Sequence, residues 1–203
     1  MEIVYRMEIV QNTLIAIWQK DIQSRFKNGL VTYERQVQGE FYRQLKNSLP
    51  EEYEVWIEPV IDLPLFNLLK IKPDIFITHQ DKIVGIMEIK FKPWEYVDYH
   101  QDLYKLTCLK DVTFKNQSFT LGYKPKSSRW KTQVLSTDNV TYQLADDYLS
   151  IYVVFARPDA DALTLPAKKE IPTPFLYLYG YIIDENNLKF DFVHTSEIQQ
   201  NRS

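Results

Sequence analysis

The chain has 203 residues, 45% hydrophobic and 25% charged, the balance of a soluble globular protein long enough to bury one substantial core. Its single cysteine, Cys108, excludes an internal disulfide and a cysteine-rich zinc site, as suits a reducing cytoplasm. A net charge of −3 argues mildly against strong non-specific binding to nucleic acid, and no apolar run reaches the length of a membrane helix or follows the pattern of a signal peptide.

Residues 8 to 27 predict an amphipathic packing helix, because Leu14, Trp18, Ile22 and Phe26 recur every fourth residue with Ile15 beside them. Asn28-Gly29 ends it. A second helix is expected from Thr32 to Leu49, with Thr32 as its N-cap and Pro50 just past its end. Leu30, Val37, Phe41 and Leu45 fall on its apolar stripe, with Glu34 near the middle and Glu40 well to the side. Tyr53 to Ile61 alternates as a strand, and Pro59 within it suits an edge or a bulge. Glu58 is either an extra site carboxylate or a half-exposed edge residue.

Lys72 to Phe91 reads KPDIFITHQDKIVGIMEIKF. Ile75-Phe76-Ile77 and Ile83 to Phe91 are two runs of strand length around the polar stretch Thr78 to Lys82, the pattern of a β-hairpin. The second run is apolar apart from Glu88 and Lys90, which is how a strand covered on both sides reads. Residues two apart project from one face, so Glu88 and Lys90 do so together. Antiparallel pairing sets Asp74 beside Glu88 at one end of the sheet. A buried charge is costly unless paired, hydrogen-bonded or bound to metal, so these groups need a use. Hard divalent ions such as Mg²⁺ take one or two carboxylates, with waters and phosphate as the other ligands. A lysine alongside can steady the charge that grows on a phosphate under attack.

Pro73-Asp74, a gap of thirteen residues and Glu88-Ile89-Lys90 together resemble the signature of the PD-(D/E)XK, or restriction-endonuclease-like, nuclease superfamily. That resemblance implies an α/β fold with an α-β-β-β-α-β core, a mixed central sheet flanked by helices. It implies Mg²⁺, with Mn²⁺ a possible substitute, held by Asp74, Glu88 and the backbone carbonyl of Ile89, and Lys90 orienting the attacking water. It also implies a glutamate on the helix before the Pro-Asp strand that reaches the metal site and binds a second ion or the attacking water; Glu34 is the better match on the helical wheel, the alternative being a first-turn glutamate favoured by the helix dipole. The implied activity is hydrolysis of DNA leaving a 5′-phosphate. The same fold without catalysis, serving as a nucleic-acid-binding or protein-interaction module, is the alternative. Cutting both strands of a duplex usually takes two sites, which makes a homodimer a possible assembly.

A helix is expected from about Glu95 to Lys110, with Tyr99, Leu103 and Leu106 on its apolar stripe. The RecB-like branch of the superfamily carries Gln-x-x-x-Tyr here, whereas Gln101 and Tyr104 are three apart. His100 and Lys105 could contact phosphate, though solvated surface positions are the default for both. Residues 111 to 147 read as a β-rich insertion within one domain spanning 1 to 203. From Lys110 to Lys131 six basic residues face one acid. Lys124, Lys126, Arg129 and Lys131, interleaved with aromatics such as Trp130, are candidate nucleic-acid contacts; the alternative is a sheet extension with lysines on its wet face. Leu149 to Ala156 is a strand, and Phe175 to Ile183 with Leu188 to Val193 a hairpin. No zinc-peptidase, P-loop or serine-hydrolase string occurs.

Overall fold

The computed structural model describes residues 2–62, 72–95, 102, 103, 105, 106, 118–122, 141–157, 174–184 and 187–194. The first helix, α1 (Glu2–Ala16), runs into a π-helical stretch, Ile17–Ile22, and on into α2 (Gln23–Lys27). A strict four-residue apolar repeat drifts by about 40° per step around a regular α-helix. The wider winding of the π stretch offsets that drift and keeps Leu14, Trp18 and Ile22 fully buried on one side. Trp18 anchors this face: its indole N–H is shared between the Tyr179 and Asp191 carbonyls at 3.2 and 3.1 Å.

Helix α3 (Glu34–Ser48) starts two residues later than expected. Thr32 is not its N-cap. Gln36 Oε1 instead accepts from the Thr32 backbone N–H at 2.7 Å and from its hydroxyl at 3.1 Å, a side chain reaching back over the first turn. Leu30 consequently lies off the helix and is 57% exposed, whereas Val37, Phe41 and Leu45 are fully buried. Glu40 is buried as well, because Arg25 Nε and Arg43 Nη2 meet its Oε1 at 2.8 and 2.5 Å and tie α2 to α3.

The strands form one eight-stranded mixed sheet. The expected strand from Tyr53 to Ile61 is two, β1 (Tyr53–Ile57) and β2 (Val60–Asp62), broken where Glu58 takes φ +45°, a left-handed conformation that ends regular pairing. Strands β3 (Ile75–His79) and β4 (Lys82–Lys92) are the expected hairpin. Its turn is tighter than the polar run suggests, only Gln80 and Asp81, with Gln80 at φ +54°. Thr78 and His79 are buried strand residues; the Trp56 indole N–H donates to the Thr78 hydroxyl at 3.4 Å, and His79 packs on Tyr53. β1, β3 and β4 are antiparallel neighbours. β6 (Thr141–Ala156) then lies parallel to β4.

At sixteen residues, β6 is twice its expected length, because successive parts serve different partners. Its start pairs with β5 (Ser118–Gly122), which carries β2, and its later half pairs in parallel with β7 (Phe175–Ile182). β8 (Leu188–His194) closes that side antiparallel to β7. Residues 102, 103, 105 and 106 are helical and lie in the chain between β4 and β6. The order α3, β1, β3, β4, helical segment, β6 is the expected α-β-β-β-α-β core.

Helices cover one face of the sheet, burying Met87, Ile89, Phe91, Val153 and Phe155 against Trp18 and Phe41. Leu103 and Leu106 cover the other, against Ile86, Tyr152, Val154 and Tyr177. Gly180 marks how tightly the first layer packs: a Cβ there would sit 2.6 Å from Phe155 Cδ2 and 2.9 Å from the Lys189 carbonyl. We expect Gly180→Ala to destabilise the fold by about 1–3 kcal/mol. Gly39→Ala, on the exposed side of α3 with nothing within 4 Å, should stabilise it by about 0.5–1 kcal/mol. Thermal melts of the two variants beside the parent read both signs.

Candidate active site

Asp74 is held by its backbone before its side chain does anything. Its N–H donates to the Met87 carbonyl at 3.1 Å, and its own carbonyl accepts from the Glu58 N–H at 2.9 Å and from Gln38 Nε2 on α3 at 3.0 Å. The left-handed turn at Glu58 thus has a local use, since it aims an amide at Asp74. Pro73, buried just before, has no amide to leave unpaired. The Asp74 carboxylate then accepts from the Ile89 N–H, Oδ2 to N 2.7 Å. Ladder pairing begins with Ile75 opposite Met87, and Asp74, one residue before it, lies near enough to Glu88 for its charge to act there.

Glu88 and Lys90 lie on the face covered by Leu103 and Leu106, opposite the Met87, Ile89 and Phe91 face. Glu88 is 2% exposed. Its Oε2 receives Lys105 Nζ at 2.8 Å, while its Oε1 is buried with no hydrogen-bond partner among the described residues. Burial raises the Glu88 pKa to about 8, the charge of Asp74 adds to the rise, and Lys105 opposes it. Burial likewise lifts Asp74 to about 6, against the Ile89 hydrogen bond, with the Glu34 charge adding to the rise. Each carboxylate thus resists ionising, and Asp74 makes it harder for Glu88.

Lys90 does not sit on Glu88. Its ammonium meets Asp102 Oδ2 at 3.3 Å, and the other oxygen of Asp102 meets Lys105 Nζ at 3.3 Å. Asp102 is 3% exposed, so a buried carboxylate bridges two lysines. Neither Asp102 nor the pairing of Lys105 with Glu88 was legible from spacing, because both depend on how the helical segment docks on the sheet. The one available signal was Asp102 and Lys105 three apart beside the buried Leu103 and Leu106, a spacing that puts both on one helix face.

Glu34, half-buried at the start of α3, accepts from the Phe91 N–H at 3.4 Å, and its charge reaches Asp74. Glu58 is paired with Lys72. Lys124, Lys126, Arg129 and Lys131 lie outside the described residues. Among the described residues no three His, Cys, Asp or Glu side chains converge as a metal cage. A Mg²⁺ ion needs only one or two carboxylates, completing its shell with water. Asp74 and Glu88 fit that requirement, since the charge of one acts on the other and one buried Glu88 oxygen is unsatisfied. Among the described residues no helix is long and apolar enough to cross a membrane.

No protein-family model matches the chain, and no curated protein matches its sequence. Among solved structures it is similar to NucC of P. aeruginosa ATCC27853 in its cAAA-bound form, at 12% identity and a TM-score of 0.47, covering 89% of this chain and 82% of that one. It is also similar to NucC of E. coli MS115-1, again cAAA-bound, at 12% identity and a TM-score of 0.41, covering 89% and 81%.

Proposed function

We propose that the protein is a Mg²⁺-dependent nuclease that hydrolyses DNA phosphodiesters by in-line attack of water. The observation that carries this reading is the closeness of Asp74, just before β3, to Glu88 on β4, near enough for the charge of one to act on the other, together with a Glu88 oxygen that is buried and unsatisfied. A protein does not keep two adjacent carboxylates in a dry place without something to neutralise them. Asp74, Glu88 and the Ile89 carbonyl would hold the ion, with Mn²⁺ able to take its place. Bound there, the cation supplies Lewis-acid polarisation of the phosphate and lowers the pKa of the attacking water.

The remaining roles belong to the chain. The Ile89 N–H fixes the orientation of the Asp74 carboxylate. Lys90, 28% exposed along its side chain and paired with Asp102, stabilises negative charge on the phosphate. Glu34 orients water from the helical side. The test is incubation of the purified protein with supercoiled, linear duplex and single-stranded DNA, in Mg²⁺ or in EDTA. Cleavage in Mg²⁺ alone, with products bearing 5′-phosphates, is the expected result; no cleavage of any substrate in Mg²⁺ or Mn²⁺ defeats the reading.

A second reading is favoured by Lys105, which already neutralises Glu88. In it the protein is a non-catalytic nucleic-acid-binding or protein-interaction module whose carboxylates are structural. Divalent-ion titration separates the two readings, because only a nuclease needs an ion at Asp74 and Glu88.

A further inference from the structure

The exposures within the ion network are unequal. The Glu88 and Asp102 side chains are 2% and 4% exposed, whereas Lys105 is 37% exposed. The carboxylates are fixtures of the sheet and the docked helical segment, and the lysine reaches in from the solvent side on a flexible four-carbon stem. Lys105 Nζ lies closer to Glu88 Oε2, at 2.8 Å, than to Asp102 Oδ1, at 3.3 Å. Asp102 holds it against one oxygen while its other oxygen holds Lys90. The ammonium therefore has two anchors, one in the carboxylate pair and one outside it.

An ammonium supplies one positive charge to a site with two adjacent carboxylates, and it leaves Glu88 Oε1 without a partner. A divalent cation supplies two charges and can use that oxygen. The two cannot occupy Glu88 together without repelling each other. We propose that Lys105 is the resident counter-ion of the carboxylate pair, displaced from Glu88 by an incoming divalent cation and then kept beside the site by Asp102, where it meets the substrate phosphate. This rests on the nuclease reading of the same site and adds to it a competition and two residues. Lys105 is a catalytic residue once displaced, and Asp102 is the positioning residue that retains it.

Calorimetric titration of the full chain with Mn²⁺, without DNA, tests the competition directly. Lys105→Met should bind Mn²⁺ about tenfold more tightly than the parent, roughly the loss of one competing ion pair. Lys105→Arg should restore the parent affinity, and circular dichroism should show all variants folded. Cleavage at saturating Mn²⁺ should nevertheless fall in Lys105→Met. Asp102→Asn should lower kcat there while leaving KM for DNA within about twofold. Equal or weaker Mn²⁺ binding by Lys105→Met, with the parent still binding, overturns the counter-ion role and leaves the nuclease reading standing. Mn²⁺ bound by neither protein overturns both. An unchanged kcat in Asp102→Asn overturns the retention role.

Discussion

Asp74→Asn and Glu88→Gln are each expected to lower Mg²⁺-dependent DNA cleavage by at least about 10³-fold. Both substitutions keep shape and remove only charge. Asn at 74 still offers an oxygen to the Ile89 N–H, so the 2.7 Å contact that orients the side chain survives. Loss of activity is then loss of an anionic ligand, not of the hairpin. Lys90→Ala should be milder, about 10²-fold, because Lys90 pairs with Asp102 at 3.3 Å while Lys105 is the ammonium in contact with Glu88. Single-turnover cleavage rates at saturating Mg²⁺, with circular dichroism as a check on folding, give the ranking. Cleavage at parental rates in Asp74→Asn or Glu88→Gln removes the carboxylate pair from the chemistry.

The pair was legible in the sequence because its parts are local. Strand periodicity puts Glu88 and Lys90 on one face, and a hairpin between two apolar runs brings Asp74 to the end of the sheet that carries Glu88. What decides their partners is not local. Asp102 and Lys105 reach the site only because Leu103 and Leu106 dock on the face that carries Ile86, Tyr152 and Tyr177. Gln38 reads as one more polar residue on α3, yet it is 6% exposed and holds the Asp74 carbonyl.

The same division explains the fold. The four-residue apolar spacing identified the first helix but not its π stretch, which appears only once Trp18 must reach two carbonyls on β7 and β8. The alternation from Tyr53 to Ile61 identified strand-forming residues but not the break at Glu58, whose amide is diverted to Asp74. For β6, the half from Leu149 stands out because it is apolar on both faces. The earlier half, with Asp146 and Asp147, extends only because β5 and the start of β4 pair with it.

In divalent-free buffer, Glu88→Gln should also make the protein more stable at alkaline pH, the opposite of its effect on activity. The sign follows from the folded pKa of about 8, raised above the ordinary 4.5. Below about pH 4.5 the carboxyl is protonated in both folded and unfolded chains and contributes nothing. Between about pH 4.5 and 8 the unfolded chain ionises freely while the buried carboxyl resists, so the parent loses stability as pH rises, and the loss is complete above about 8. Glutamine has no such cost. It does forfeit the ion pair with Lys105, but that lysine is more than a third exposed and is readily solvated again. The net gain expected at pH 8.5 is about 1–3 kcal/mol, shrinking toward zero near pH 4.5. Urea denaturation at the two pH values, in EDTA, reads it as a shift in midpoint at constant slope. A midpoint lower than the parent's at pH 8.5 would mean that Lys105 and Glu88 stabilise the fold as a pair, and the case for a carboxylate retained for its chemistry would lose its energetic support.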